Sequence, residues 1–198
     1  MIPLRTQSPI APLEPIWRFT IAQYHQMIDC GVLAEDAPIE LLSGCLIQKM
    51  TKNPPHRLTT RLVREALETI VPEGWYVEAQ EPITLSDSEP EPDLAIIQGN
   101  PRDYPDRHPN ATEVALIIEV ADSTLERDRT IKRTIYAAAG IPEYWIINIR
   151  DRQIEIHRSP LQSNQTYQQQ FICTQGSIDI MLNERTIGPI EINDCFPT

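Results

Sequence analysis

Eight consecutive residues, Val114–Ala121, are apolar except for one carboxylate, Glu119. That exception limits what the chain can fold into more than any other feature. The run is aliphatic and β-branched, the composition of a strand buried on both faces. Alternate strand residues share a face, so Ile117, Glu119 and Ala121 point one way and Ile118 and Val120 the other. An ionised carboxylate taken out of water costs on the order of several kcal/mol unless a cation or donor meets it. The fold must therefore bring Glu119 a partner.

The following residues offer one. Asp122, Ser123 or Thr124 can cap a helix with Ile131, Ile135, Ala138 and Ala139 as its apolar stripe. Gly140 ends that helix and Pro142 prevents its return. Lys132 lies at the edge of the stripe, one turn before Tyr136, within reach of the preceding strand's end. Residues 144–149 are aromatic and β-branched and read as a second buried strand. Strand, helix and strand joined this tightly predict a right-handed crossover between parallel strands.

The rest of the chain reads in order around this unit. Residues 1–19 form a proline-rich arm without the apolar core of a signal peptide. Thr20 caps a first helix ending at Gly31. Residues 39–50 form a hairpin turning at Ser43-Gly44, with Glu40 as its one acid. Asn53 followed by Pro54-Pro55 starts a helix reaching Ile70, with Leu58, Leu62, Ala66 and Ile70 on one face and His56 in its first turn. Residues 75–85 read as a strand bent at Glu81-Pro82, and Asp93 opens a short strand through Gln98. A polar loop over 99–112 leads to the central run. Beyond Ile149 come an alternating strand over 154–158, a loop over 159–165 and short strands over 167–173, 178–182 and 187–192. The C-terminal strands could pair across a homodimer.

With 198 residues, no repeats and no dividing linker, this is one domain, 1–198: the arm, a core over 20–158 and C-terminal strands over 159–198. The class is α/β (α+β), a mixed sheet in the core order helix, strand, strand, strand, helix, strand. No apolar run approaches the roughly 20 residues of a membrane helix. The four cysteines are far apart with no C-x-x-C pair, which argues against zinc and suits a cytoplasmic protein. No Walker loop, G-x-S-x-G or G-x-G-x-x-G occurs. The net charge is -11, unfavourable to nucleic acid overall, yet cations cluster at Lys49, Lys52, Arg57, Arg61 and Arg64 and again at Arg127, Arg129, Lys132 and Arg133. Each cluster reads equally well as a solvated helix face or a binding face.

Asp93 begins one strand and Glu119 lies inside the next, so neighbouring strands would converge the two carboxylates. Two acids plus water suit Mg²⁺ or Mn²⁺. Pro92-Asp93 followed by Glu119-Val120-Ala121, on this order of elements, resembles the restriction-endonuclease-like fold of the PD-(D/E)XK nucleases. More closely, IELLSG, NPPH, EPDLAII, LIIEVADST and DRTIKRTIYAAAGIPEYWIINI resemble the Uma-type family of candidate endonucleases, a large bacterial family, over most of the chain.

The resemblance implies a metal-dependent endonuclease that hydrolyses DNA phosphodiester bonds, with Asp93 and Glu119 on Mg²⁺ or Mn²⁺ and Lys132 stabilising charge. In the superfamily a Lys stands two residues after the acid; here that residue is Ala121. Ala121 is small and shares the face of Glu119, which leaves room for Lys132, where the family resemblance also puts a Lys. Glu40 is a further candidate catalytic acid, Glu81 a further metal ligand, and His56, part of the family motif, a candidate phosphate contact.

Taken without the resemblance, other readings stand beside these. Glu119 and Lys132 also fit a structural ion pair. Asp93 also fits a turn after proline, and Glu40 and Glu81 fit solvent-facing positions. His56 fits a simple role at its helix start. The alternative functions are a non-catalytic module that keeps the nuclease fold and a metal-dependent hydrolase of another phosphate ester.

Overall fold

The computed structural model describes residues 15–182 and 185–197. In chain order come α1 (Ile21–Asp29), the hairpin β1 (Ile39–Leu42) and β2 (Cys45–Gln48), α2 (Pro54–Ile70), β3 (Trp75–Glu78), β4 (Leu94–Gln98) and β5 (Val114–Ala121). A short α3 (Leu125–Arg127) runs through a π-helical turn, Asp128–Lys132, into α4 (Arg133–Ala139). Then follow β6 (Glu143–Asn148), β7 (Gln153–Leu161), β8 (Thr166–Cys173), β9 (Ser177–Leu182) and β10 (Arg185–Glu191). Most of the expected N-terminal arm lies outside the described residues.

Six strands form one sheet in the order β3-β4-β5-β6-β7-β8, in which only β5 and β6 run parallel. This is the expected mixed sheet, and its parallel pair is the strand-helix-strand unit built around Glu119. β5 is central and buried along its whole length. One face of the sheet, with Leu116, Ile118 and Val120, packs on Val63 and Leu67 of α2 and on Ile178, Ile180 and Ile190 of the β9-β10 hairpin. The opposite face, with Ile117 and Ala121, packs on Ile135, Tyr136 and Ala137 of α4. Glu119 is on that second face, as strand alternation requires.

Local signals fix several element ends. Thr20 and Gln23 form a capping box at α1. Asn53 Oδ1 accepts from the backbone N–H of His56 at 3.0 Å, and Pro54 and Pro55 occupy the first turn of α2, where missing N–H groups do no harm. Gly140 stops α4 in the left-handed region, φ 80°.

Four expectations need correction. The strand expected over 75–85 pairs only through Glu78; Gln80 then takes φ 63°, Pro82 has no N–H to give, and the chain leaves the sheet. The strand expected over 154–158 continues to Leu161. Pro160 is tolerated because β6 stops at the level of Arg158, so nothing on that side needs its N–H. On α2 the buried side runs through Thr59, Thr60, Val63 and Leu67, while Leu58 is exposed. The true inward stripe includes polar residues, so counting apolar positions selected a face about one residue away. In the helix after β5, Ile131 is exposed and Lys132 buried. The π turn, closed by the Arg133 N–H donating to the Asp128 carbonyl, rotates the helix and exchanges the two.

Candidate active site

Four separate elements meet where β4 and β5 lie side by side. Asp93 enters just ahead of β4, and Glu119 comes from β5, whose residue Ile118 is paired with Leu94. Lys132 comes from the π turn, and Glu40 from β1. With His56 at the head of α2 and Asp128 one π turn before Lys132, all six line a single cavity.

Asp93 is held by three donors. Its Oδ2 accepts from the Val120 N–H at 2.9 Å and lies 3.0 Å from His56 Nε2; its Oδ1 accepts from Gln80 Nε2 at 3.4 Å. Burial pushes its carboxyl upward, but the hydrogen bond and charge of His56 and the Val120 N–H together hold it below the usual carboxylate range. Asp93 is therefore a carboxylate at neutral pH, and Oδ1 is its less committed oxygen.

Glu119 is only 4 % exposed. Its Oε1 accepts from Lys132 Nζ at 2.8 Å and from the Tyr136 hydroxyl at 2.7 Å. Its Oε2 has no hydrogen-bond partner among the described residues. Burial pushes the Glu119 carboxyl upward, and Asp128, Asp93 and Glu40 add like-charge repulsion; the Lys132 ammonium against its Oε1 opposes both and favours the ionised pair. Lys132 also lies 3.4 Å from Glu40 Oε2. Burial works against its ammonium, yet Glu119, Glu40 and Asp128 hold its pKa above that of an ordinary lysine.

The cavity thus holds four buried carboxylates, Glu40, Asp93, Glu119 and Asp128, around one buried ammonium. Asp128 Oδ2 has no hydrogen-bond partner among the described residues. Such a surplus of negative charge is costly to bury and is relieved by a cation. Among the described residues no group of three His, Cys, Asp or Glu side chains is close enough to cage a metal. A complete protein cage is not the habit of Mg²⁺, which takes one or two carboxylates and keeps much of its water. Oxygen donors at Asp93 and Glu119 fit a hard cation of that kind, and they do not fit zinc.

The structure gathers Asp93, Glu119, Lys132, Glu40 and His56, but not Glu81. Glu81 is exposed and borders a second cavity with Tyr104, Arg107 and His108. The turn at Gln80 carries it away, so it is no ligand candidate in this site. The imidazole of His56 has its Nε2 engaged by Asp93. Tyr136, Gln80 and Asp128 were not apparent as site residues in the sequence. The spacing of Tyr136, four residues after Lys132, was the one available signal, since such pairs share a helix face. Ala121 is fully buried on the face of Glu119, among the apolar residues packed on α4.

The family model described as "Putative restriction endonuclease", Uma2, matches residues 21–184. The chain belongs to the Uma2 family. Among solved structures, this Uma2 chain is similar to a protein from Anabaena variabilis described as a "putative nuclease belonging to DUF820". The two are 16% identical, with a TM-score of 0.64 covering 92% of this chain and 98% of that one. At that identity the likeness speaks for the fold alone. No curated protein matches the Uma2 chain significantly. Its expected fold class, a restriction-endonuclease-like mixed sheet, is the one observed. No helix of the described residues is long and apolar enough to cross a membrane.

Proposed function

We propose that this Uma2 protein is an endodeoxyribonuclease dependent on Mg²⁺ or Mn²⁺. The observation that carries the proposal is Lys132 Nζ placed 2.8 Å from Glu119 Oε1 in the cavity that Asp93 also lines. Asp93 and Glu119 would hold the cation. When bound, such a cation lowers the pKa of a water and neutralises charge on a phosphate oxygen.

The chain's own residues would do the rest. His56, Gln80 and the Val120 N–H fix the Asp93 carboxylate, so it needs no reorganisation when substrate arrives. Tyr136 and Lys132 fix Glu119 from one side and leave its other oxygen toward the cavity. The Lys132 ammonium, kept charged by its carboxylates, would stabilise the negative charge that grows on the phosphate as a water oxygen bonds to phosphorus and the water gives up its proton to solvent. The bond from phosphorus to the leaving sugar oxygen breaks in the same displacement. Lys132 would thus perform, from the following helix, the task that a lysine at position 121 would perform from the strand.

Hydrolysis of a smaller phosphate ester remains the second reading, and charge favours it. Of the expected basic clusters, Arg61 and Arg64 are paired with Glu65 and Glu68, Lys49 with Glu91, and Arg129 with Glu155. Lys52 and Arg57 are left exposed, a smaller positive field than the sequence clusters suggest. Duplex DNA, single-stranded DNA and a chromogenic phosphodiester, each incubated with Mn²⁺ or Mg²⁺, separate the two readings. Cleavage of DNA that is absent in Asp93→Ala supports the nuclease. Turnover of the small ester alone supports the second reading, and turnover of neither, across several substrates, refutes both.

A further inference from the structure

Asp128 is a site carboxylate whose side chain is only partly satisfied: Thr124 bonds it and Lys132 and Arg127 attract it, yet one oxygen is left over. It is 2 % exposed, and its Oδ2 makes no hydrogen bond among the described residues. Buried polar groups are nearly always satisfied, so an orphaned carboxylate oxygen needs an explanation. Its backbone is held firmly. The Asp128 carbonyl accepts from the Arg133 N–H across the π turn and from the Tyr144 hydroxyl at 3.1 Å. Of its flanking arginines, Arg129 is paired with Glu155, and Arg127, whose charge acts on Asp128, has its NH1 on the Gln48 carbonyl at 3.1 Å and 4.0 Å from Glu40. A fixed backbone and one free carboxylate oxygen facing a polar cavity together point to a group kept for a ligand.

The π turn strengthens this. Single π turns interrupt helices at a cost in regularity and occur often at functional sites. This one turns Asp128 and Lys132 into the same cavity and puts Ile131 in solvent. A regular helix carrying the apolar stripe inward would not need that exchange.

We propose that Asp128 is a further binding residue of this site: its free Oδ2 accepts a hydrogen bond from a water carried by the divalent cation at Asp93 and Glu119. The inference rests on the metal-dependent reading and deepens it. Asp128 is not a direct ligand here, consistent with the lack of any three-residue cage among the described residues. Its carboxylate instead orients the hydrated face of the cation, beside Lys132. Partners of this kind typically alter metal affinity by about 10- to 100-fold.

The test is calorimetric titration of Mn²⁺ into the wild type, Asp128→Asn, Asp128→Ala and Asp93→Ala, with thermal unfolding of each in chelator. The expected result is Mn²⁺ binding by the wild type, at least about tenfold weaker in both Asp128 variants and lost in Asp93→Ala. Asp128→Asn keeps the side chain's shape and a hydrogen-bonding oxygen and removes one of several neighbouring buried negative charges, so the chelated melting temperature should be unchanged or raised. Unchanged affinity in a folded Asp128 variant, beside loss in Asp93→Ala, overturns the role of Asp128 and leaves the metal reading standing. No Mn²⁺ binding by the wild type overturns both. A lowered melting temperature with unchanged affinity assigns Asp128 to the fold and also overturns the proposal.

Discussion

Lys132 Nζ and Glu119 Oε1 lie 2.8 Å apart, with both side chains almost completely buried. They belong to different elements, so the contact forms only when the helix after β5 docks on the sheet. The same ammonium also faces Glu40 from the β1-β2 hairpin, at 3.4 Å. One cation thus links three elements and keeps three carboxylates from repelling each other.

Removing that ammonium should therefore damage the fold as well as the site. Lys132→Met leaves Glu119, Glu40 and Asp128 facing one another without compensation, and loss of one partner of a buried pair costs about 3–5 kcal/mol. Urea unfolding should register that loss. Adding Glu119→Gln should recover a large part of it, giving a double-mutant cycle with strong coupling. Additive effects would show the pair to be energetically independent.

Tyr136→Phe removes one hydroxyl from a fully buried position and changes little else. The hydroxyl donates to Glu119 at 2.7 Å. Hydrogen bonds to charged groups contribute about 1.5–3 kcal/mol, so denaturant stability should fall within that range. Under the proposed function, cleavage should fall too, because Glu119 gains freedom to rotate. A variant with unchanged stability would place this hydrogen bond outside the folded state's energetics.

Asn53→Ala tests the start of α2. The side chain caps the His56 N–H, and its amide also reaches Asp122. Loss of an N-cap costs about 1 kcal/mol. The affected turn carries His56, which braces Asp93, so Mn²⁺ affinity should weaken in parallel with stability. A stability loss with no change in affinity would separate the cap from the site.

His157 gives the stability a pH dependence of its own. It packs against the rings of Tyr144 and Tyr167, at 5.6 and 5.8 Å, and neither ring nitrogen has a partner among the described residues. Burial, aided by the charge of Arg133, pushes its pKa down to about 4 from 6.5. The folded state therefore binds the proton less readily than the unfolded chain. Its stabilising contribution is complete above pH 6.5 and is lost as pH falls toward 4, by on the order of 3 kcal/mol. Unfolding midpoints measured across that window should fall more steeply for the wild type than for His157→Phe. Parallel slopes would contradict a neutral buried imidazole.

Much of this arrangement is legible in the sequence because backbone chemistry dictates it. Strand alternation put Glu119 and Ala121 on one face, and the caps at Thr20, Asn53 and Gly140 marked real helix ends. Helix faces were harder. In α2 the inward stripe contains Thr59 and Thr60, which an apolar count passes over. In the helix after β5 the π turn moved the buried face, and no residue type announces such a turn. Glu81 failed for a different reason: strand periodicity was extended through Gln80, where the backbone turns away. Asp128 stayed hidden because a carboxylate in a helix's first turns is an ordinary way to meet its dipole.

Crystals soaked in Mn²⁺ test the central claim most directly, through the anomalous scattering of the ion. The arrangement predicts a peak at about 2.1 Å from oxygens of both Asp93 and Glu119, beside the Lys132 ammonium and absent from Asp93→Ala crystals. A cavity with no peak at saturating Mn²⁺, or a peak held by other side chains alone, would contradict the proposed metal-dependent nuclease and leave only the fold.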